Sequence, residues 1–329
     1  MRRFTVSWRR LLPGVVPVLA LLALLRFGDP GRLVAVIRAA EPEWILAAAV
    51  FQILTYRSAG RVWAVAVRAA GVSRVPHGLT RLSMEKLAVD QLVPSGGMAG
   101  HLGALSALRR IGLPAPVAFQ AVFLDIFSFY VAYVMAALVG FFVLVFRHDV
   151  SPAVTVALGL FGVLSSSVMV VVVRIVRHPG DARRLPRFLS AVPAVARAIS
   201  ALGRVAPEHV LAPSVVFRAA VFQSAVFLLD ALTLWAAFRA LGTPLPLVDA
   251  FAAFVIGSVA GTVSLIPAGV GTFEAAATAI LVGLGGTLET ALPAVLLCRA
   301  LALWIPIVPG ALMARRDFSR SARWPVERS

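Results

Sequence analysis

The sequence predicts an all-α, polytopic membrane protein, with about six full spans and two re-entrant or broken helical hairpins in an inverted repeat. Three observations carry this expectation. The chain is 60% hydrophobic over 329 residues, with a mean hydropathy of +0.91, so it has too little polar surface to cover a soluble globule. Two Pro/Gly breaks sit inside apolar runs and read alike. The Arg clusters fall beside apolar runs, and the span count puts every Arg-rich segment on the cytoplasmic side, as the positive-inside rule requires.

The breaks organise the rest. One is Ser264-Leu265-Ile266-Pro267-Ala268-Gly269-Val270-Gly271-Thr272-Phe273-Glu274. Pro267 stops a helix, and Gly269 and Gly271 allow turns that other residues resist. The other is Leu92-Val93-Pro94-Ser95-Gly96-Gly97-Met98-Ala99-Gly100-His101. Laid on one another without gaps, Pro94 meets Pro267, Gly96 meets Gly269 and His101 meets Glu274. After each break come a helical run, a short turn and a long apolar helix with one charge, Asp125 or Arg299. One inserted residue brings those two charges into register. Repeat 1 is expected at about 79–146 and repeat 2 at about 247–314, within a single membrane domain over 1–329.

Taken in order, Arg2, Arg3, Arg9 and Arg10 precede Leu11 to Leu25. No small-x-small cleavage site follows, so an uncleaved first span with a cytoplasmic N-terminus is expected. The second span starts at Trp44 and runs to about Val67, with Gln52, Tyr56, Arg57 and Arg61 inside it. Arg57 lies deep enough that an isolated charge would cost at least about 2.5 kcal/mol. It either faces the bundle or snorkels to the headgroups; Arg61 is expected to snorkel. Arg68 to Arg110 enters the first break from the cytoplasm. Its apolar parts are too short for two spans of about 20 residues each, and a re-entrant hairpin fits them better.

Val117 to Phe146 is expected to cross outward and Pro152 to Val176 to return. The stretch 177–213 holds six Arg against Asp181 and Glu208, and reads as a cytoplasmic basic loop, either solvated or lying on anionic headgroups. Ser214 to Ala240 crosses outward with Gln223, Asp230 and Thr233 on one face. Leu247 to Leu284 holds the second break, entered from outside, and Ala291 to Ala314 returns to an Arg-rich tail. The two repeats therefore have opposite orientation.

The candidate site lies at the breaks. Half-helices starting near Met98 and near Gly271 to Phe273 would present unpaired amides to an anion such as a lipid phosphate. Arg299 with those amides suits an anionic headgroup, and Glu274 and Asp125 suit its cationic part or balance Arg. Bland readings stand beside these. Glu274 is placed to stabilise a helix start, Arg299 to pair with Asp125 or Asp230, and His101 to pack at a helix start. Asp230 has the weakest bland explanation, because only a partner or an aqueous path accounts for a carboxylate at its depth. Gly257 and Gly261 suit close helix packing.

Several classes are disfavoured. The net charge of +16 follows the topology and gives no nucleic-acid patch. Cys298 is the single cysteine, which leaves no intramolecular disulfide or Cys-based metal site. No hydrolase, zinc-protease or diphosphate–magnesium signature is present, so neither enzyme activity nor a cofactor or metal is expected.

The run Leu265 to Glu274, then Ala294-Val295-Leu296-Leu297-Cys298-Arg299-Ala300-Leu301-Ala302-Leu303-Trp304-Ile305-Pro306 and Gly310, resembles the flippase-like family formed by the transmembrane region of lysylphosphatidylglycerol synthases. Val93 to Gly97, Gly100, Leu105 and the Gly112 to Asp125 stretch resemble its first half. The resemblance implies an α-helical domain with re-entrant helices that binds and translocates an anionic phospholipid or polyisoprenoid-linked lipid in the bacterial cytoplasmic membrane. Glu274 and Arg299 carry over directly, whereas His101 stands where an acidic residue is common in the family. The aminoacyl-transferring domain of the full synthases is not seen in the sequence, so lipid handling is implied and aminoacylation is not. Two alternatives stay open: an ion-coupled carrier of a small polar solute using Asp125 and Asp230, and the membrane partner of a lipid-modifying enzyme. An oligomer is also open.

Overall fold

A computed structural model describes residues 40–92, 98–147, 152–177, 211–264 and 266–304. Among them the chain forms nine α-helices and no strand. They are α1 (Pro42–Ala69), α2 (Leu79–Leu92), α3 (Met98–Arg110), α4 (Ala115–Arg147), α5 (Pro152–Arg177), α6 (Pro213–Ala240), α7 (Leu247–Val263), α8 (Thr272–Gly283) and α9 (Leu288–Arg299). A short turn, Pro267–Gly269, joins α7 to α8, and a widened helical turn, Ala300–Trp304, follows α9. The expected first span, most of the 177–213 loop, Pro94, Gly96 and the chain beyond Trp304 lie outside the described residues.

Helix boundaries fall within a few residues of the apolar runs because the chain marks them chemically. α1 and α6 each hold 28 residues and begin on a proline, whose missing N–H costs nothing in a first turn. Each closes on a glycine with positive φ, Gly71 at 82° and Gly242 at 69°. The amide two beyond the last carbonyl-capped residue then reaches back, Val72 N to Val67 O and Thr243 N to Phe238 O. The same closure recurs after the two post-break helices. Gly112 and Gly285 have φ of 91° and 96°, with Leu113 N donating to Leu108 O and Gly286 N to Leu281 O. These four positions correspond pairwise in sequence, so the likeness between the halves starts one helix earlier than the breaks.

α1 and α6 pack antiparallel. Glu41 N donates to Ala240 O at 2.8 Å, Gln52 reaches Asp230, and Ser58 Oγ donates to Phe222 O at 2.9 Å, so partners descend α6 as α1 rises. Two equal helices related this way share an approximate two-fold axis across their seam. α2–α3 and α7–α8 form hairpins beside it, and α2 touches the Pro267–Gly269 turn, which brings the second break to the first hairpin. α2, α3 and α8 have 14, 13 and 12 residues. At about 1.5 Å per residue none reaches across a hydrocarbon core of about 30 Å.

Among the described residues, α4 and α6 are long and apolar enough to cross a membrane. α1 is as long as α6 but carries Glu43, Arg57, Arg61 and Arg68. Small residues fill the interior, including Ala48, Ala132, Ala231, Ala253, Ala277 and Ala294, and let helices approach closely. The outer faces are apolar, with Phe146, Phe217, Val163 and Leu46 largely exposed, as suits contact with lipid tails.

Candidate functional site

The second break is held by its own polar groups. Ser264 Oγ donates to Gly261 O at 2.8 Å and meets Thr272 Oγ1 at 3.0 Å, while Thr272 Oγ1 donates to Gly269 O. Gly269 lies so close to α7 that a Cβ there would meet Gly261 Cα at 2.9 Å, and one on Gly257 would meet Ala277 Cβ at 3.0 Å. The turn places Ala268 at φ 57°, a left-handed conformation that costs a side-chain-bearing residue about 1–2 kcal/mol. Arg299 secures it. One guanidinium nitrogen donates to Ala268 O at 2.6 Å, Nε donates to Glu274 Oε1 at 2.7 Å, and the group lies 4.7 Å from the centre of the Phe273 ring.

Glu274 completes the latch. Its second oxygen accepts from Gly271 N at 2.7 Å, so the carboxylate satisfies the amide at the start of α8 and neutralises Arg299 at once. Gly271 has no side chain to reciprocate, so this is half a capping box. Arg299 therefore pairs with Glu274 and with neither Asp125 nor Asp230. The helix-start role of Glu274 and its contact with Arg299 are the same geometry.

The first hairpin carries a second polar centre. Asp125 on α4 lies 3.5 Å from Lys86 Nζ and 3.3 Å from His101 Nε2, and its other oxygen accepts from Gln223 Nε2 at 3.0 Å. Lys86 also reaches Asp90 at 3.3 Å, and Asp90 accepts from Gly100 N at 2.8 Å, stabilising the start of α3. His101 and Asp125 occupy the places that Glu274 and Arg299 hold in the second repeat. Both pairs are in contact, with acid and base exchanged between hairpin and span. A cleft of ≈ 20 Å³ opens between α2 and α3, lined by Leu82, Glu85, Lys86, Gly103 and Arg110, with room for about one water.

Asp230 is held differently. Its Oδ1 accepts from Gln52 Nε2 at 3.0 Å and Thr55 Oγ1 at 3.3 Å, and Gln52 Nε2 also reaches Thr233 Oγ1 at 2.9 Å. These donors are neutral. The shared face of Gln223, Asp230 and Thr233 is thus divided between α4 and α1. Arg57 lies on the exposed side of α1, as does Arg61.

Sequence reasoning did not single out Lys86, Asp90, Gln52 or Gln223 as partners in these centres. Lys86 carried a signal, since every other basic residue of its kind in the chain is Arg, and Asp90 stands four residues on, one helical turn away. The two glutamines gave a weaker one: each is a polar residue inside an apolar helix, at matching places in α1 and α6.

No curated protein matches the chain. The family model described as the lysylphosphatidylglycerol synthase TM region matches residues 10–310, nearly the whole sequence. An all-helical bundle with apolar outer faces, two broken hairpins and an Arg299–Glu274 latch is thus a membrane protein that belongs to the family of lysylphosphatidylglycerol synthase transmembrane regions.

Proposed function

We propose that this protein binds the headgroup of an anionic phospholipid or polyisoprenoid-linked lipid between its two broken hairpins and moves it across the bilayer. On this reading the whole chain is one membrane domain of two inverted repeats, set in the bacterial cytoplasmic membrane with both termini inside, and is not itself an enzyme. The observation that carries the reading is Arg299. Its guanidinium is nearly enclosed, with 12% of the side chain exposed, and it grips a backbone carbonyl and a carboxylate at the tip of a break. A lipid phosphate offers the same paired oxygens as Glu274 and is the natural competitor for that cation. Entry needs the latch to open, because the Arg299 guanidinium is already taken by Glu274 Oε1 and Ala268 O.

The direct test is movement of a fluorescent phosphatidylglycerol between leaflets of proteoliposomes, read by chemical quenching of the outer leaflet. Losing one charge-assisted contact worth about 1.5–3 kcal/mol should slow movement in Arg299→Ala by roughly 10- to 100-fold. A variant with unaltered melting and an unaltered rate would defeat the proposal. Native mass spectrometry on the same pair should show an anionic lipid retained by the wild type and lost in the variant.

A second reading, an ion-coupled carrier of a small polar solute, is favoured by one feature, the lack of a cationic partner for Asp230 among the described residues. Gradient-driven solute uptake that needs no particular lipid would place it first.

A further inference from the structure

The carboxylates inside the bundle fall into two kinds. Glu85 pairs with Arg81, Asp90 and Asp125 with Lys86, Asp249 with Arg147 and Glu274 with Arg299, each within 4.0 Å. Asp230 has no such cation among the described residues, and only an amide and a hydroxyl address it. It stands about ten residues before the end of α6, roughly 15 Å along the helix axis at about 1.5 Å per residue, half the thickness of a hydrocarbon core. A bare carboxylate at that depth is costly and is rarely left without a partner. We infer that Asp230 is a proton-binding site, with the acid proton on Oδ2, and that loading and unloading it couples the α1–α6 seam to the transmembrane proton gradient.

The local geometry suits the protonated form. Gln52 donates to Oδ1 at 3.0 Å, while the single Thr55 hydroxyl proton is shared between Phe51 O at 3.1 Å and Oδ1 at 3.3 Å, so Oδ2 is left to carry hydrogen. Releasing that proton leaves a charge held by two neutral donors alone, which favours a rearranged seam or prompt reloading. The other titratable or charged groups on the elements packed here do not supply a counter-charge. Tyr56 on α1 donates its hydroxyl to Ala302 O, and Tyr133 on α4 is engaged with Thr262. On α4 Asp125 is taken by Lys86, and on α9 Arg299 is taken by Glu274 while Cys298 is buried. Asp249 on α7 faces Arg147, Arg57 and Arg61 on α1 are exposed, and on α6 itself Arg218 is exposed and Arg239 lies over the Trp235 ring. The coupling half of this inference rests on the lipid-moving reading; the proton site does not.

The test separates the two. Full-length wild-type protein in detergent, with no transport required, is treated with dicyclohexylcarbodiimide, which modifies protonated carboxyls in apolar surroundings, and the adduct is located by peptide mass spectrometry. Asp230 should be modified, with yield falling about tenfold for each pH unit above its midpoint, while Asp125 beside Lys86 stays unmodified. No adduct at Asp230 at any pH would overturn the site, and suppression by sodium at fixed pH would replace the proton with a metal cation. In proteoliposomes, an imposed pH gradient should change the rate of lipid movement several-fold in the wild type and not in Asp230→Asn. Wild-type movement indifferent to the gradient would overturn the coupling and leave the labelled site standing.

Discussion

The latch between Glu274 and Arg299 makes the sharpest energetic prediction. Their contact is a single Nε–Oε1 bond at 2.7 Å between side chains 12% and 13% exposed, so it is dry enough to count and yet short of a two-pronged pair. A charge-assisted bond in such a place is worth about 1.5–3 kcal/mol. Glu274→Gln cannot accept from Arg299 and Gly271 N together as the carboxylate does, because one end of an amide is a donor. Arg299→Gln gives up Ala268 O and the Phe273 ring as well, so it should cost more than Glu274→Gln alone. A double-mutant cycle removes those private losses and isolates the pair, and its coupling should come to about 2 kcal/mol. The assay is equilibrium unfolding in mixed micelles of mild detergent and dodecyl sulfate, followed by helix content. Coupling under about 0.5 kcal/mol would mean that the contact behaves like an exposed surface pair, and the latch argument would fall.

Other expectations follow from the same centres. Lys86→Met removes the cation shared by Asp90 and Asp125 and should destabilise the protein by about 3–5 kcal/mol, far more than Arg81→Met at its half-exposed pair, as read in the same micelle titration. Gly100→Ala would drive a Cβ into the Asp90 carboxylate, so melting should fall and hydrogen exchange at the start of α3 should rise. Ala268→Gly relieves a left-handed alanine while keeping the carbonyl that Arg299 holds, and should raise stability by up to about 1 kcal/mol; a lower melting temperature would contradict the strain.

Much of the fold was legible because membrane chains announce it chemically. Apolar runs longer than about 20 residues, proline starts and Arg-rich ends are local signals, and α4, α5 and α6 begin and end within a few residues of where those signals place them. Break 2 was legible for the same reason, since Pro267, Gly269 and Gly271 act on their own backbone. The partnerships were not. Whether Arg299 meets Asp125, Asp230 or Glu274 depends on how hairpins lie against spans, and all three acids stood at plausible depth. The match between Gln52 and Gln223 also needed the helices paired before it meant anything, because one amide serves Asp230 and the other Asp125.

The exchange of acid and base between the two hairpins has an electrical consequence. In Lys86–Asp125 the span carries the negative end; in Glu274–Arg299 it carries the positive end. The inverted repeat proposed above sets the two-fold axis of the α1–α6 seam in the membrane plane, and such an axis reverses the component of a pair's moment along the membrane normal. Exchanging the charges reverses it again. The two moments therefore add where identical repeats would have cancelled, and opening one latch while the other stays shut changes the net moment of the domain. On the lipid-moving reading, in which a latch opens, the membrane voltage would act on this protein directly, at about 2.3 kcal/mol per elementary charge moved through 100 mV, scaled by the fraction of the field each pair spans.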